Sequence, residues 1–140
     1  DHFQEEVYLH PEWTVADRKY CWRELEQRYC PERNYQESEA LKRGIYWYRQ
    51  GHIFEVPFYY IDYTLAQVCA LQFWQRKIVN EDPMTWDDYL AICRIGGSKT
   101  FLETVELGNL ASPFDREKMT DLLAAVDHYL ADISEAELLE

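Results

Sequence analysis

Residues 56–74 read VPFYYIDYTLAQVCALQFW and form the longest apolar run of the chain. Placed on a helix, the apolar side chains of this run lie on nearly all sides, which is typical of a helix buried in a core. Pro57 suits the first turn of a helix, where its missing N–H costs nothing. The sequence therefore predicts that the longest helix runs from Pro57 to about Val79, and that residues 80–83 end it.

Helix start and stop signals surround this segment. Thr14 and Asp17 have the spacing of a capping box, which predicts a helix from there to about Tyr29. Thr85 and Asp88 predict a second box, for a helix that stops at residues 96–97, a pair of glycines.

The remaining segments carry weaker signals. Ser98 is expected to cap a helix that ends near Gly108, and a last helix is expected at 116–131, with a frayed acidic tail after it. Residues 31–37 are typical of a loop, and the helical prediction for 38–49 is left open by Gly44. No strand pattern is found, so the predicted fold class is all-α.

Composition limits the possible partners. The chain has 140 residues, 47% of them hydrophobic, which is enough for one domain with its own core. Its 26 acidic and 14 basic residues give a net charge of −12. Such a surface repels nucleic acid and anionic membranes. The long apolar run also contains residues that a lipid-spanning helix tolerates poorly, namely Asp62, Gln67 and Gln72.

The four cysteines are interpreted as reduced thiols rather than as a zinc site. Their spacing contains no CxxC pair, as the positions Cys21, Cys30, Cys69 and Cys93 show. Reduced thiols indicate a reducing compartment, and we expect a cytoplasmic protein.

The sequence offers no self-contained catalytic motif. None of its histidines, which are His2, His10, His52 and His128, belongs to an HExxH pair or has a second histidine four residues away. No metal ligand is therefore predicted in this chain. Residues 96–100, GGSKT, superficially suggest a phosphate loop, but a helix stop followed by a cap explains them.

A polar stripe on the predicted long helix is the best candidate site. At about 100° per residue, Tyr63, Gln67 and Tyr60 fall within about 100° of Tyr59 on the helix circumference. His52 lies five residues before the predicted start at Pro57, close enough to reach the same face. Two interpretations remain open at this point. The stripe is a functional donor cluster, or it is a satisfied polar cluster in a core beside a surface histidine.

Several segments resemble one protein family. They are residues 52–54 (HIF), 57–67 (PFYYIDYTLAQ), 71–74 (LQFW), 89–90 (YL), 96–98 (GGS) and 112–114 (SPF), with 3–8 (FQEEVY) and 46–47 (YW) upstream. Together they resemble the C-terminal part of oligoendopeptidase F-type enzymes in the thimet-oligopeptidase-like group of zinc metallopeptidases.

The resemblance implies a cytoplasmic endopeptidase that hydrolyses short peptides in a mostly helical channel. In that family an HExxH helix and a downstream glutamate hold zinc, and a histidine and tyrosines near the C-terminus donate to the oxyanion of the tetrahedral intermediate. Carried over by position, His52, Tyr60 and Tyr63 are the candidate donors. Tyr59 and Gln67 are candidates for substrate binding.

The resemblance also implies what this chain lacks. It has no HExxH motif, and it begins with Asp1 rather than Met. We therefore expect residues 1–140 to be the C-terminal helical segment of a larger catalytic domain, inactive alone. Its partner would be the N-terminal remainder, which would bind the zinc. The alternative is a non-enzymatic helical module that binds a partner protein through an exposed apolar face.

The isolated chain should self-associate. If the helix after Pro57 evolved to be covered by an N-terminal remainder, the chain alone exposes an apolar, tyrosine-rich surface. Sedimentation velocity of the purified chain should show dimers or larger species that increase with concentration. A single monomeric species at high concentration would contradict this expectation.

Overall fold

A computed structural model describes residues 1–134, and these form helices joined by turns, with no strand among them. The α-helices are α1 (His2–Leu9), α2 (Val15–Tyr29), α3 (Glu39–Lys42), α4 (His52–Glu55), α5 (Ile61–Trp74), α6 (Thr85–Ile95), α7 (Phe101–Leu107) and α8 (Arg116–Ala131). A 3-10 turn spans Tyr46–Arg49, and a π-helical segment, Gln75–Val79, extends α5. The all-α prediction is confirmed.

The chain divides into two compact units, Asp1–Asp62 and the residues from Tyr63 onward. No helix of the described part is long and apolar enough to cross a lipid bilayer. The predicted fraying of the tail concerns residues 135–140 in large part, and these lie outside the described residues.

An aromatic cluster forms the core of the first unit. Phe3 of α1 is 5% exposed, and its ring lies 5.2 Å from that of Trp22 in α2 and 5.1 Å from that of Trp47. Trp47 in turn stacks on Phe54 of α4, with 5.7 Å between ring centroids. Since aromatic side chains bury large apolar areas, this cluster fixes α1 against both α2 and α4.

A buried carboxylate joins α2 to the loop that follows it. Glu26 is 6% exposed and accepts hydrogen bonds from Trp22 Nε1 at 3.3 Å and Arg33 at 3.5 Å, and also from Arg23 and Tyr35. A buried charge is tolerated only when it is paired and hydrogen-bonded, and here both conditions are met. The loop predicted at 31–37 is confirmed and is held by these contacts.

The second unit has a mixed core. Val105 of α7 and Leu122 of α8 are 4% and 2% exposed. The buried side-chain amide of Gln72 donates to the Ala111 carbonyl at 3.0 Å and accepts from the Ala111 N–H at 2.8 Å. These bonds hold the segment before α8 against α5.

An arginine organises the turn between α5 and α6. The guanidinium of Arg76 donates to the Asp82 carboxylate at 2.8 Å, the Asp88 carboxylate at 2.5 Å and the Gly108 carbonyl at 2.9 Å. Asp88 also accepts from the side chain of Asn109 at 3.0 Å. The predicted capping role of Asp88 is therefore wrong, because its carboxylate is engaged with Arg76 instead.

Two predicted caps are replaced by neighbours. Thr85 lies inside α6 and donates its hydroxyl to the Asp82 carbonyl, so the helix is not capped by Thr85. The N-cap of α7 is Thr100 rather than Ser98, because Thr100 has Glu103 three residues later and completes a capping box. The predicted helix end at Gly96 is confirmed, with φ of +54°.

A glycine between α3 and the 3-10 turn permits a close backbone contact. Gly44 has φ of +83°, and a Cβ at this position would lie 2.2 Å from the carbonyl oxygen of Lys19 in α2. We expect Gly44→Ala to lower the free energy of unfolding by about 1–3 kcal/mol, through overpacking and left-handed backbone strain. Urea denaturation would measure the loss.

Gly51→Ala is the matched control. Gly51 has helical φ and ψ of −52° and −38°, and a Cβ there would meet nothing within 4 Å. This substitution should leave stability unchanged or raise it by up to about 1 kcal/mol. Equal losses for the two variants would show that the contact with Lys19 is not the constraint described.

Candidate functional site

The segment that carries the candidate residues is not one continuous helix. After the single turn of α4, residues 56–60 form turns, and α5 begins at Ile61 rather than at Pro57. Phe58 has φ of +61°, a left-handed conformation that an α-helix cannot include. Tyr59 and Tyr60 therefore precede the helix, and the predicted helical angles do not apply to them.

His52 and Tyr60 are brought together. His52 opens α4 and is partly buried, and its imidazole lies parallel to the phenol ring of Tyr60, with 3.3 Å between centroids and 14° between planes. The pair thus combines a ring that can carry an N–H donor with a ring that carries an O–H donor.

The other candidates lie on α5 or just before it. Tyr63 and Gln67 are one turn apart on α5, and both are exposed. Tyr59 lies in the turn before the helix, where its N–H donates to the Val56 carbonyl at 3.3 Å. Because these side chains are exposed in this chain, the predicted buried location of the polar stripe is wrong for the chain as it stands.

The segment that carries His52 and Tyr60 exposes a run of large apolar and aromatic side chains. The residues concerned are each between 42% and 59% exposed and are Phe54, Val56, Phe58, Tyr59, Tyr60 and Ile61. In α5 itself, Gln72 is the residue that is buried. The prediction of a core helix is therefore not met within this chain, whereas the expected exposed, tyrosine-rich surface is present.

Burial of His52 favours its neutral form over the imidazolium. Partial desolvation lowers the pKa of His52 below its ordinary value, because burial disfavours the charged imidazolium. A neutral imidazole presents one N–H donor and one acceptor, and which ring nitrogen carries the proton depends on its partners.

Sequence reasoning missed Gln4. Gln4 is 2% exposed, and its side-chain amide donates to the Ile53 carbonyl at 3.3 Å and accepts from the Phe58 N–H at 3.2 Å. Gln4 belongs to the FQEEVY run of the resemblance, which is the one signal that singled out this segment. Helix α1, which carries it, was not predicted either.

Solved structures supply the comparison with known proteins, since no protein-family model and no curated protein matches the sequence. A crystal structure of an oligoendopeptidase F is 47% identical with a TM-score of 0.85, and PZ peptidase A with an inhibitor is 44% identical with a TM-score of 0.86. An oligoendopeptidase F from Bacillus anthracis is 39% identical with a TM-score of 0.67.

Each of these matches covers 95% of this chain but only part of the other protein. The chain spans 23%, 24% and 20% of their respective lengths. The similarity therefore concerns one segment of proteins that are about four to five times longer.

Protonation of His52 should oppose folding. Because the folded state lowers the pKa of His52, the unfolded chain binds this proton more readily. The stability of the chain should therefore fall as the pH drops below about 6.5, and this effect should be absent at higher pH. Urea denaturation of the wild type and of His52→Gln, from about pH 7.5 to about pH 5, isolates the contribution of His52 to the pH dependence of the free energy of unfolding.

The expected result is a smaller loss of stability on acidification in His52→Gln than in the wild type. Histidine NMR of the same samples should place the midpoint of His52 below about 6.5. A midpoint above that value would reverse the sign and contradict the prediction.

Proposed function

The chain matches a C-terminal segment of the oligoendopeptidase F family, and we propose that it supplies donor side chains to the active site of a longer, cytoplasmic, zinc-dependent oligoendopeptidase. The substrates of that enzyme are short peptides. The N-terminal remainder of the same protein is the partner that covers the exposed surface around His52 and Tyr60.

The parallel contact between His52 and Tyr60 carries the proposal. It places the imidazole of His52 and the phenol ring of Tyr60 with 3.3 Å between ring centroids, in a segment that also exposes apolar side chains. Hydrogen-bond donors at a position where negative charge develops during the reaction bind the transition state more strongly than the uncharged ground state.

In the proposed mechanism, His52, Tyr60 and Tyr63 donate hydrogen bonds to the oxyanion that forms when the scissile carbonyl becomes tetrahedral. Donors placed where such charge develops typically lower the barrier by about 2.7–4 kcal/mol each. Tyr59 and Gln67 bind the peptide backbone, because a phenol hydroxyl and a side-chain amide can each both donate and accept hydrogen bonds.

Within residues 1–134, no group of three or more His, Cys, Asp or Glu side chains is placed to hold a metal. We propose that the zinc ligands belong to the remainder of the longer protein, as the family resemblance implies. We expect the isolated chain to hydrolyse no peptide.

The second candidate function is a non-enzymatic helical module that binds a partner protein. The exposed apolar run from Phe54 to Ile61 favours it, because large apolar surfaces mark interaction sites. Identity of 44–47% to peptidases over 95% of the chain favours the first candidate. The activity of the full-length protein decides between them.

The decisive experiment is cleavage of a quenched fluorescent peptide by the full-length protein that contains this chain. His52→Ala and Tyr63→Phe should each lower kcat about a hundredfold or more. Because each change removes a donor to the transition state and no metal ligand, the zinc content should equal that of the wild type.

Tyr20→Phe is the control. Tyr20 lies on α2 and is 68% exposed, so removal of its hydroxyl should leave kcat and KM unchanged. Wild-type kcat and zinc content in both His52→Ala and Tyr63→Phe would show that these residues are structural. Absence of peptidase activity in a zinc-loaded wild-type protein would favour the interaction module.

A further inference from the structure

The loop formed by residues 52–60, which comprises the single turn of α4 and the turns that follow it, carries His52 and Tyr60. A buried side chain from another helix holds this loop. Gln4 of α1 is 2% exposed, and its amide bonds to two backbone groups of the loop: it donates to the Ile53 carbonyl at 3.3 Å and accepts from the Phe58 N–H at 3.2 Å. Ile53 follows His52 directly, and Phe58 comes two residues before Tyr60.

The loop needs this support because its backbone is strained. Phe58 has φ of +61°, which costs free energy for any residue with a Cβ and persists only when the surroundings impose it. The bond from the Phe58 N–H to Gln4 acts directly on the strained residue. The bond to the Ile53 carbonyl fixes the other end of the same loop.

Gln4 is itself in a fixed position. The neighbouring Phe3 packs between Trp22 and Trp47, with ring centroids 5.2 Å and 5.1 Å away. These contacts of Phe3 hold the part of α1 that carries Gln4 against the aromatic core. Helix α4 contacts the same core through Phe54, which stacks on Trp47.

We infer that Gln4 is a positioning residue of the candidate site: its amide sets the conformation of residues 53–58 and thereby places the His52 imidazole against the Tyr60 ring. This inference rests on the proposed function of His52 and Tyr60 as donors. Gln4 touches neither substrate nor oxyanion in this role and acts only through the loop.

A second buried glutamine provides a matched control. Gln72 is 7% exposed and makes the same pair of bonds, donating to the Ala111 carbonyl and accepting from the Ala111 N–H. Gln→Met keeps the length and approximate volume of the side chain and removes both hydrogen bonds. Each substitution therefore removes one donated and one accepted hydrogen bond to the backbone. Gln4→Met does so at the loop of the candidate site, and Gln72→Met does so at Ala111, outside that site.

The experiment compares Gln4→Met and Gln72→Met in the full-length protein. Both variants should lose thermal stability to a similar degree. Gln4→Met should lower kcat about tenfold to a hundredfold, because small displacements of catalytic groups have effects of this size, while KM changes little. Gln72→Met should keep the kcat of the wild type.

Two further readouts separate positioning from general destabilisation. In the His52→Ala background, Gln4→Met should lower kcat by about twofold or less, since residues that act through one another are not additive. The NMR signals of the His52 ring should shift in Gln4→Met and stay in place in Gln72→Met. Full additivity with unshifted signals overturns the inference.

Gln4→Glu decides the question if Gln4→Met does not fold. The introduced carboxyl still accepts from the Phe58 N–H, but once ionised it has no donor for the Ile53 carbonyl. Its kcat relative to the wild type should therefore fall as the assay pH is raised through the ionisation of that carboxyl. A ratio that stays at one over the whole range overturns the inference.

The inference and the proposed function fail in different ways. Loss of kcat in His52→Ala together with wild-type kcat in Gln4→Met overturns the positioning role alone. Wild-type kcat in His52→Ala overturns the donor role of His52, and the positioning role with it.

Discussion

The left-handed backbone of Phe58 is the constraint on which the candidate site depends. With φ of +61° it interrupts the helix that the apolar sequence would otherwise form without a break. On a continuous helix, Tyr60 would be displaced by about 100° around the axis from Tyr59. In the turn instead, the ring of Tyr60 lies flat on that of His52. The strain at Phe58 and the contact between the two rings are thus parts of one arrangement.

The segment that contains the strained turn is also rich in apolar side chains, and these are exposed. Burial of apolar surface contributes about 25 cal/mol per Å², so a run such as Phe54 to Ile61 is expected to be covered in a complete fold. In this chain the run is exposed, while the aromatic core of the first unit is formed by residues such as Phe3 and Trp47. The chain spans about a quarter of the length of similar proteins. The run from Phe54 to Ile61 is therefore the surface that we propose the remainder covers.

Local chemistry predicted the helix ends well where no distant group competed. The box of Thr14 and Asp17, and the left-handed stop at Gly96, depend on neighbours in sequence and were both correct. The start predicted at Pro57 failed because the backbone there is held by Gln4, and the role predicted for Asp88 failed because Arg76 binds its carboxylate. The predicted all-α class was correct because it rests on many local signals rather than on one.

The candidate site divides in the same way. Residue type and family resemblance were enough to identify His52 and Tyr60 as candidates, but not to predict the parallel contact between their rings. That contact depends on the turn at Phe58, and this turn is stabilised by Gln4, which lies 54 positions earlier in the chain. No periodicity links Gln4 to that turn. Gln4 and Gln72 carry the same side-chain amide, both are buried, and each amide is hydrogen-bonded to one carbonyl and one N–H. The difference in their expected effect on activity therefore comes from the backbone that each amide holds, and residue type alone does not reveal it.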